Sequence, residues 1–166
     1  MVSKTYIYIY KKPSTFHGVP EKIPLKTYKI FELFDIETKR GVEKKELKEG
    51  HYPLIEQSAK NNGVGMYCDK WVFDGDYISV CSNGEGAGTC FVQHGKFAIK
   101  NNNPPSILKL KDEYNYSLEQ LAYIMTLAFS PKYDRSNTIR RDTLSIETIT
   151  IPENGDYLNA YIYDML

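Results

Sequence analysis

Cys90 and His94 stand four residues apart in a β-prone stretch, which places a thiol and an imidazole on the same face of a strand. A thiol beside a base is the pattern of an activated nucleophile. At that spacing the two groups lie several ångströms apart, and no third residue suggests itself to orient the imidazole, so catalysis by the pair is the weaker reading. Asp74 and Asp76 flank Gly75, an arrangement that makes a turn more often than a cation site. Cys68, Cys81 and Cys90, with His17, His51 and His94, lack the paired spacing of a zinc site, so no metal is expected. The three cysteines read as small buried thiols.

Two further stretches resemble binding loops. Gly84-Glu85-Gly86-Ala87-Gly88 has glycines spaced as in loops that cradle phosphates. That chemistry needs a helix after the glycines, so that its amide dipoles meet the anion. Here the β-prone TCFVQ follows, and no Lys-Ser or Lys-Thr pair is present. The stretch reads as a hairpin loop able to approach a ligand closely, and no cofactor is expected. Asn102 to Ser106 (NNPPS) is similar to the Asn-Pro-Pro-aromatic signature of adenine methyltransferases, but Ser106 occupies the place of the aromatic that must stack on a flipped base. It reads as a proline-rich loop.

The run KYDRSNTIRRD (132–142) is more informative. It combines Lys132, Arg135, Arg140 and Arg141 with Tyr133, Ser136, Asn137 and Thr138. Guanidinium forks chelate phosphates or guanine edges, amides and hydroxyls hydrogen-bond backbone or base, and an aromatic adds a stacking surface. The same composition serves equally for a solvated loop. SAKNNGVGMY (58–67) raises a related question, because Asn62-Gly63 alone makes the turn, yet Lys60 and Asn61 stand beside it.

These groups must be positioned by strands and one helix. TYIYIY (5–10) alternates strictly and predicts a strand, followed by a proline-bearing arm over 11–24. Ile30, Leu33 and Phe34 have helical spacing in YKIFELFD (28–35), and the charge run of 36–50 reads as solvated. HYPLIEQ (51–57) predicts a strand ending in the SAKNNGVG turn. WVFDGDYISVCS (71–82) predicts a turn at Asp74-Gly75 and then a strand. NGEGAGT (83–89) is a loop, CFVQHGKFAI (90–99) one or two strands, and ILKL (107–110) another. SLEQLAYIMTLAF (117–129) predicts a helix. Ser117 and Gln120 form a capping box, and Leu118, Leu121, Ala122, Met125 and Ala128 form its apolar face. TLSIETITIP (143–152) predicts the last strand, and 154–166 begins a further helix. Strands dominate, so the fold class is α+β, with a mixed sheet.

The chain has 166 residues, 42% hydrophobic and 25% charged, enough for one packed domain. No apolar run approaches the roughly 18 residues that span a bilayer, and the N-terminus is too polar for a signal peptide. No membrane association and a cytoplasmic location are therefore expected. The net charge is zero, from 21 basic and 21 acidic residues. The distribution is uneven: 132–141 carries four bases and one acid, whereas 143–166 carries four acids and no base. A basic face can exist within the neutral total.

In order, YKIFELFDIETKRG (28–41), YPLIEQSAKNNGVGMY (52–67), FDGDYISVCSNGEGAGTCFVQHGKFAI (73–99), YDRSNTIRRDTLSIETITIP (133–152) and NGDYLNAYIYDML (154–166) resemble one family. It is the target recognition domain of the DNA specificity subunits of type I and related restriction–modification systems. The resemblance implies a strongly curved mixed sheet with one main helix in the C-terminal half and short flanking helices. It divides the chain into an N-terminal strand and arm (1–27), the recognition domain (28–152) and a tail (153–166) that starts a connector helix.

The resemblance also implies a non-catalytic reader of double-stranded DNA that directs a separate adenine methyltransferase subunit and a nuclease. The expected DNA-binding residues are Lys60, Asn61, Asn62, Ser82 and Asn83 from two turns, with Tyr133, Arg135, Asn137, Arg140 and Arg141 from the basic loop. A complete specificity subunit has two such domains joined by long helices, and this chain has one, so self-association as a half-subunit is a further expectation. The neutral charge and the lack of those helices motivate an alternative: a protein-interaction or regulatory module that binds or blocks a restriction complex without reading DNA.

Overall fold

Alternation along three strands sorts their side chains onto two faces of one sheet. The strands are β5 (Phe73–Val80), β6 (Cys90–Ile99) and β7 (Ser106–Leu110) in a computed structural model that describes residues 18–165. Ile78, Val80, Cys90, Val92, Leu108 and Leu110 turn to one side and join the largest core cluster. Phe73, Tyr77, Phe97, Ile99 and Ile107 turn to the other and form a second core.

The full order of this sheet is β2-β7-β5-β6-β3-β4, with β2 Phe34–Ile36, β3 Glu49–Ile55 and β4 Val64–Cys68. Its pairs are antiparallel except β3 with β6, so the sheet is mixed and the class α+β, as the strand pattern predicts. Ile55 of β3 packs in one cluster with Ile107 of β7, three places away in the order, so the sheet curls around its second core. A separate two-stranded sheet pairs β1 (Leu25–Lys29) with β8 (Thr148–Pro152).

The main helix follows its sequence signals. Between the one-turn helix α1 (Ile30–Leu33) and the C-terminal helices lies α2, Leu118–Phe129. Ser117 Oγ accepts the Gln120 backbone N–H, which is half of the capping box; the Gln120 amide instead donates to Asn159. Burial extends beyond the predicted stripe to Tyr123, Ile124 and Phe129, because α2 shares its core with Ile149 and Ile151 of β8 and with Leu158 and Ile162 of α4 (Leu158–Met165). Each large side chain so buried contributes about 1.5–3 kcal/mol.

Two elements differ from expectation. Asp74-Gly75 makes no turn: both residues lie inside β5, where Gly75 opposes Gly95 across the β6 ladder. The first half of 143–152 is helical, as α3 (Arg141–Ile146), because Arg140 is extended and starts the helix and Leu144 anchors it in the core. β1 begins ahead of residue 28, and α4 packs Leu158 and Ile162 of the tail into the main core. The strand expected at 5–10 lies outside the described residues.

Candidate nucleic-acid interface

The turn after β3 is built by its own polar side chains. Ser58 Oγ accepts the Lys60 N–H at 3.1 Å, and the Gly63 N–H donates to the Lys60 carbonyl at 2.9 Å. Asn61 and Asn62 both adopt left-handed backbone angles, φ 49° and 55°, which asparagine tolerates better than most residues. Their side chains then part. Asn62 Nδ2 donates to the Val92 carbonyl at 3.0 Å, and Gln93 Nε2 donates to the Asn62 carbonyl at 2.8 Å. Gln93 also donates to Ser79 Oγ, so the buried Gln93 and Ser79 side chains are satisfied. Asn62, exposed like its neighbours, is therefore anchored through its amide, whereas Lys60 and Asn61 project at the tip and the Asn61 amide makes only a long contact to the Val64 carbonyl at 3.5 Å. Among the described residues no acid pairs with Lys60 Nζ.

The glycine-rich loop packs where a side chain would collide. A Cβ at Gly86 would come within 2.6 Å of Ala59 Cβ, so the loop lies directly on the turn. At Gly88, with φ +89°, a Cβ would meet the backbone at the end of α2 at 2.7 Å. The glycines thus press turn, loop and helix together, and the segment that follows them is β6.

Gln57 ties this end of the molecule together. Its Oε1 accepts the Ser82 N–H at 2.7 Å, and its Nε2 donates to the Pro104 carbonyl at 2.9 Å. The Ser82 carbonyl in turn accepts the Ile139 N–H at 2.8 Å. One peptide segment therefore joins the turn to the basic loop. Ser82 acts through its main chain, and its hydroxyl is turned back to the Val80 carbonyl at 3.4 Å. Asn83 Nδ2 donates to Asn103 Oδ1 at 2.7 Å.

The basic loop is folded by an Asp-centred turn. Asp134 Oδ1 accepts from the Ser136 N–H and hydroxyl and from the Asn137 N–H, at 2.7–3.0 Å, and the Ser136 contacts hold this carboxyl below its usual range. Asn137 Nδ2 donates to the Lys132 carbonyl at 2.8 Å, so this amide shapes the loop. Tyr133 corrects the expectation of a stacking surface. It is only 7% exposed, and its hydroxyl donates to Glu147 Oε1 at 2.6 Å. Burial, and then Glu147, push its phenol up to about 12.

Arg135 projects and pairs with Glu85 of the glycine loop at 2.8 Å, with both side chains at least three-quarters exposed. Such a pair contributes little and exchanges readily. Lys60, Asn83, Glu85 and Arg135 line one open concavity of about 650 Å³ with Gln57 and Ser58. Arg140 and Arg141 line a different one, of about 700 Å³, with Phe31, Asp35 and Asp142. There Arg141 donates to the Glu37 carbonyl at 3.2 Å.

The thiol–imidazole pair does not form a site. Cys90 is buried in the core under α2, where Thr126 Oγ1 accepts its N–H at 2.9 Å and burial pushes its thiol up. His94 lies at the surface with its ring nitrogens 2.6 Å from Asp76 and 2.9 Å from Glu119.

The family model described as the type I restriction modification DNA specificity domain matches residues 22–160, and the chain belongs to that family. A Mycoplasma pneumoniae protein named as a type I specificity subunit is 29% identical over 121 residues, covering 67% of this chain and 32% of that protein. Another from the same organism, named as the N-terminus of such a subunit, is 32% identical over 114 residues, covering 66% and 57%. The chain thus spans about a third of the longer relative. In solved structures the fold is similar to that of the S subunit of a type I restriction-modification system from M. genitalium, with TM-score 0.63, 13% identity, and 98% of this chain and 42% of that one covered. It is also similar to that of the HsdS subunit from Thermoanaerobacter tengcongensis, with TM-score 0.56, 18% identity, and 90% and 39% covered.

Proposed function

We propose that this member of the type I DNA specificity domain family reads duplex DNA with the loops gathered at one end of its sheet and performs no chemistry itself. The observation that carries the reading is the Gln57–Ser82–Ile139 junction, which brings the Lys60 turn, the glycine-rich loop and the Arg135 loop together. Family membership supports the choice of ligand. Lys60 and Arg135 serve as phosphate contacts, with Glu85 displaced from Arg135 on binding, and exposed amides such as Asn61 meet the grooves. Arg140 and Arg141 extend the contact on the far side of Ile139. Asn62, Asn83, Asn137 and the Ser82 backbone hold the loops in place behind them.

In this reading the sequence it selects is passed to an adenine methyltransferase subunit and a nuclease. A second copy of this unit completes a split target.

Gel retardation on a random duplex pool, first at low salt and then with salt raised, tests the proposal. Binding is expected to weaken steeply, with a log–log slope of about −0.9 per phosphate contacted. Lys60→Ala is expected to flatten that slope by roughly one contact and to leave stability within about 0.5 kcal/mol. Failure to retain any duplex at low salt removes the proposal.

A further inference from the structure

The loop Asn101-Asn102-Asn103 has no role in the interface described above beyond supporting it, and its three carboxamides behave differently. Asn101 Nδ2 donates to Glu43 Oε1 at 2.9 Å, on one side of the loop. Asn103, with φ 54°, accepts from Asn83 on the other side, and its carbonyl faces Gln57 Nε2 at 3.4 Å. Pro104 and Pro105 follow and fix their own backbone angles. Asn102, between the two anchored residues, is exposed, and among the described residues its carboxamide makes no hydrogen bond of its own.

This is the geometry of a pre-organised reading group. Both neighbours are pinned, so much of the entropy cost of holding the loop is met before a ligand arrives. Asn102 lines a hollow of about 320 Å³ with Glu56, Gln57 and Lys100. Lys100 Nζ and Glu56 Oε1 lie 2.6 Å apart there, so the hollow is close to neutral and has little attraction for phosphate. Gln57 also walls the concavity that holds Lys60 and Arg135. A neutral amide therefore stands one side chain away from the cations, the arrangement expected where cations grip the backbone and an amide meets a base edge.

We infer that Asn102 is a specificity-determining residue that reads adenine in the major groove, its amide oxygen accepting from N6 and its amide nitrogen donating to N7. The inference rests on the duplex-reading function proposed above.

Enrichment of bound duplexes from a randomised pool, using the full chain and two variants, tests it. The unaltered chain is expected to enrich a motif. Asn102→Ala is expected to keep the melting temperature and the salt slope and to lose preference for adenine at one position only, by roughly 5- to 150-fold. Asn102→Asp, which keeps an acceptor and loses the donors, is expected to move that position toward cytosine, whose N4 donates. An Asn102→Ala motif unchanged at every position overturns the inference and leaves the DNA-reading function standing. Duplex binding by the unaltered chain without any enriched motif overturns it as well. No duplex binding at all removes the underlying function too.

Discussion

The helix-facing side of the sheet and its loop end are held by different forces. Under α2 the contacts are apolar and shape-dependent, from Ile78, Val80 and Leu108 to Leu121, Met125 and Phe129. At the loop end the order comes from amide side chains bonded to distant backbone: Gln57 to Ser82 and Pro104, Asn62 to Val92, Gln93 to Asn62. The first kind of bonding fixes the fold and is indifferent to what the loops display. The second fixes loop backbones from behind, so exposed side chains at positions 60, 61, 102 and 135 are free to differ between relatives without loosening the frame.

Substitutions separate the two regimes. The largest expected effect is from Phe129→Ala, which empties a fully buried site and should cost about 3–5 kcal/mol in urea denaturation. A loss below about 1 kcal/mol would mean the helix face is not packed as described. Gln57→Ala should cost less, about 0.5–1.5 kcal/mol, by removing its bonds to the partly buried Ser82 N–H and the exposed Pro104 carbonyl. Its signature is local: hydrogen exchange should quicken at the Ser82 and Ile139 amides while the α2 amides keep their protection. Uniform acceleration would show that loop end and core are one cooperative unit.

The smallest effect lies where the regimes meet, at His94, which joins β5 and β6 to the first turn of α2. The Asp76 carboxylate, and then Glu119, raise its pKa above the ordinary imidazole value. Below that ordinary value the ring is charged in folded and unfolded chains alike, and its stabilising contribution is fully present. As pH rises through the raised folded value, that contribution is lost. The urea midpoint should therefore drift downward as pH rises from about 6.5, the ordinary imidazole value, through the raised folded value. His94→Gln should abolish the drift, and an identical drift in that variant would assign it to other groups.

The helix-facing half was largely legible in the sequence, because burial leaves a period. The stripe of α2, the strand segments of β6 and β7 and the Ser117 cap are all visible there. The misreadings arose where local and long-range preferences compete. Asp74-Gly75 has turn chemistry, yet pairing with β6 keeps it extended. TLSIET alternates like a strand, yet Leu144 is drawn into the core from a helix. At the loop end the charged tips could be read from composition, but their supports could not. Gln57 finds its partners 25 and 47 residues away, and no local pattern marks it. Tyr133 looks like a stacking residue until Glu147 is seen beside it.

The Ser82 peptide segment, bonded to Gln57 through its N–H and to Ile139 through its carbonyl, has a consequence for how affinity accumulates. If both loops grip the backbone as proposed, an anion that stilled the lysine turn would leave the arginine loop with less motion to surrender, and the second grip would come more cheaply than the first. Such cooperation needs no change of shape, only a shared fastening.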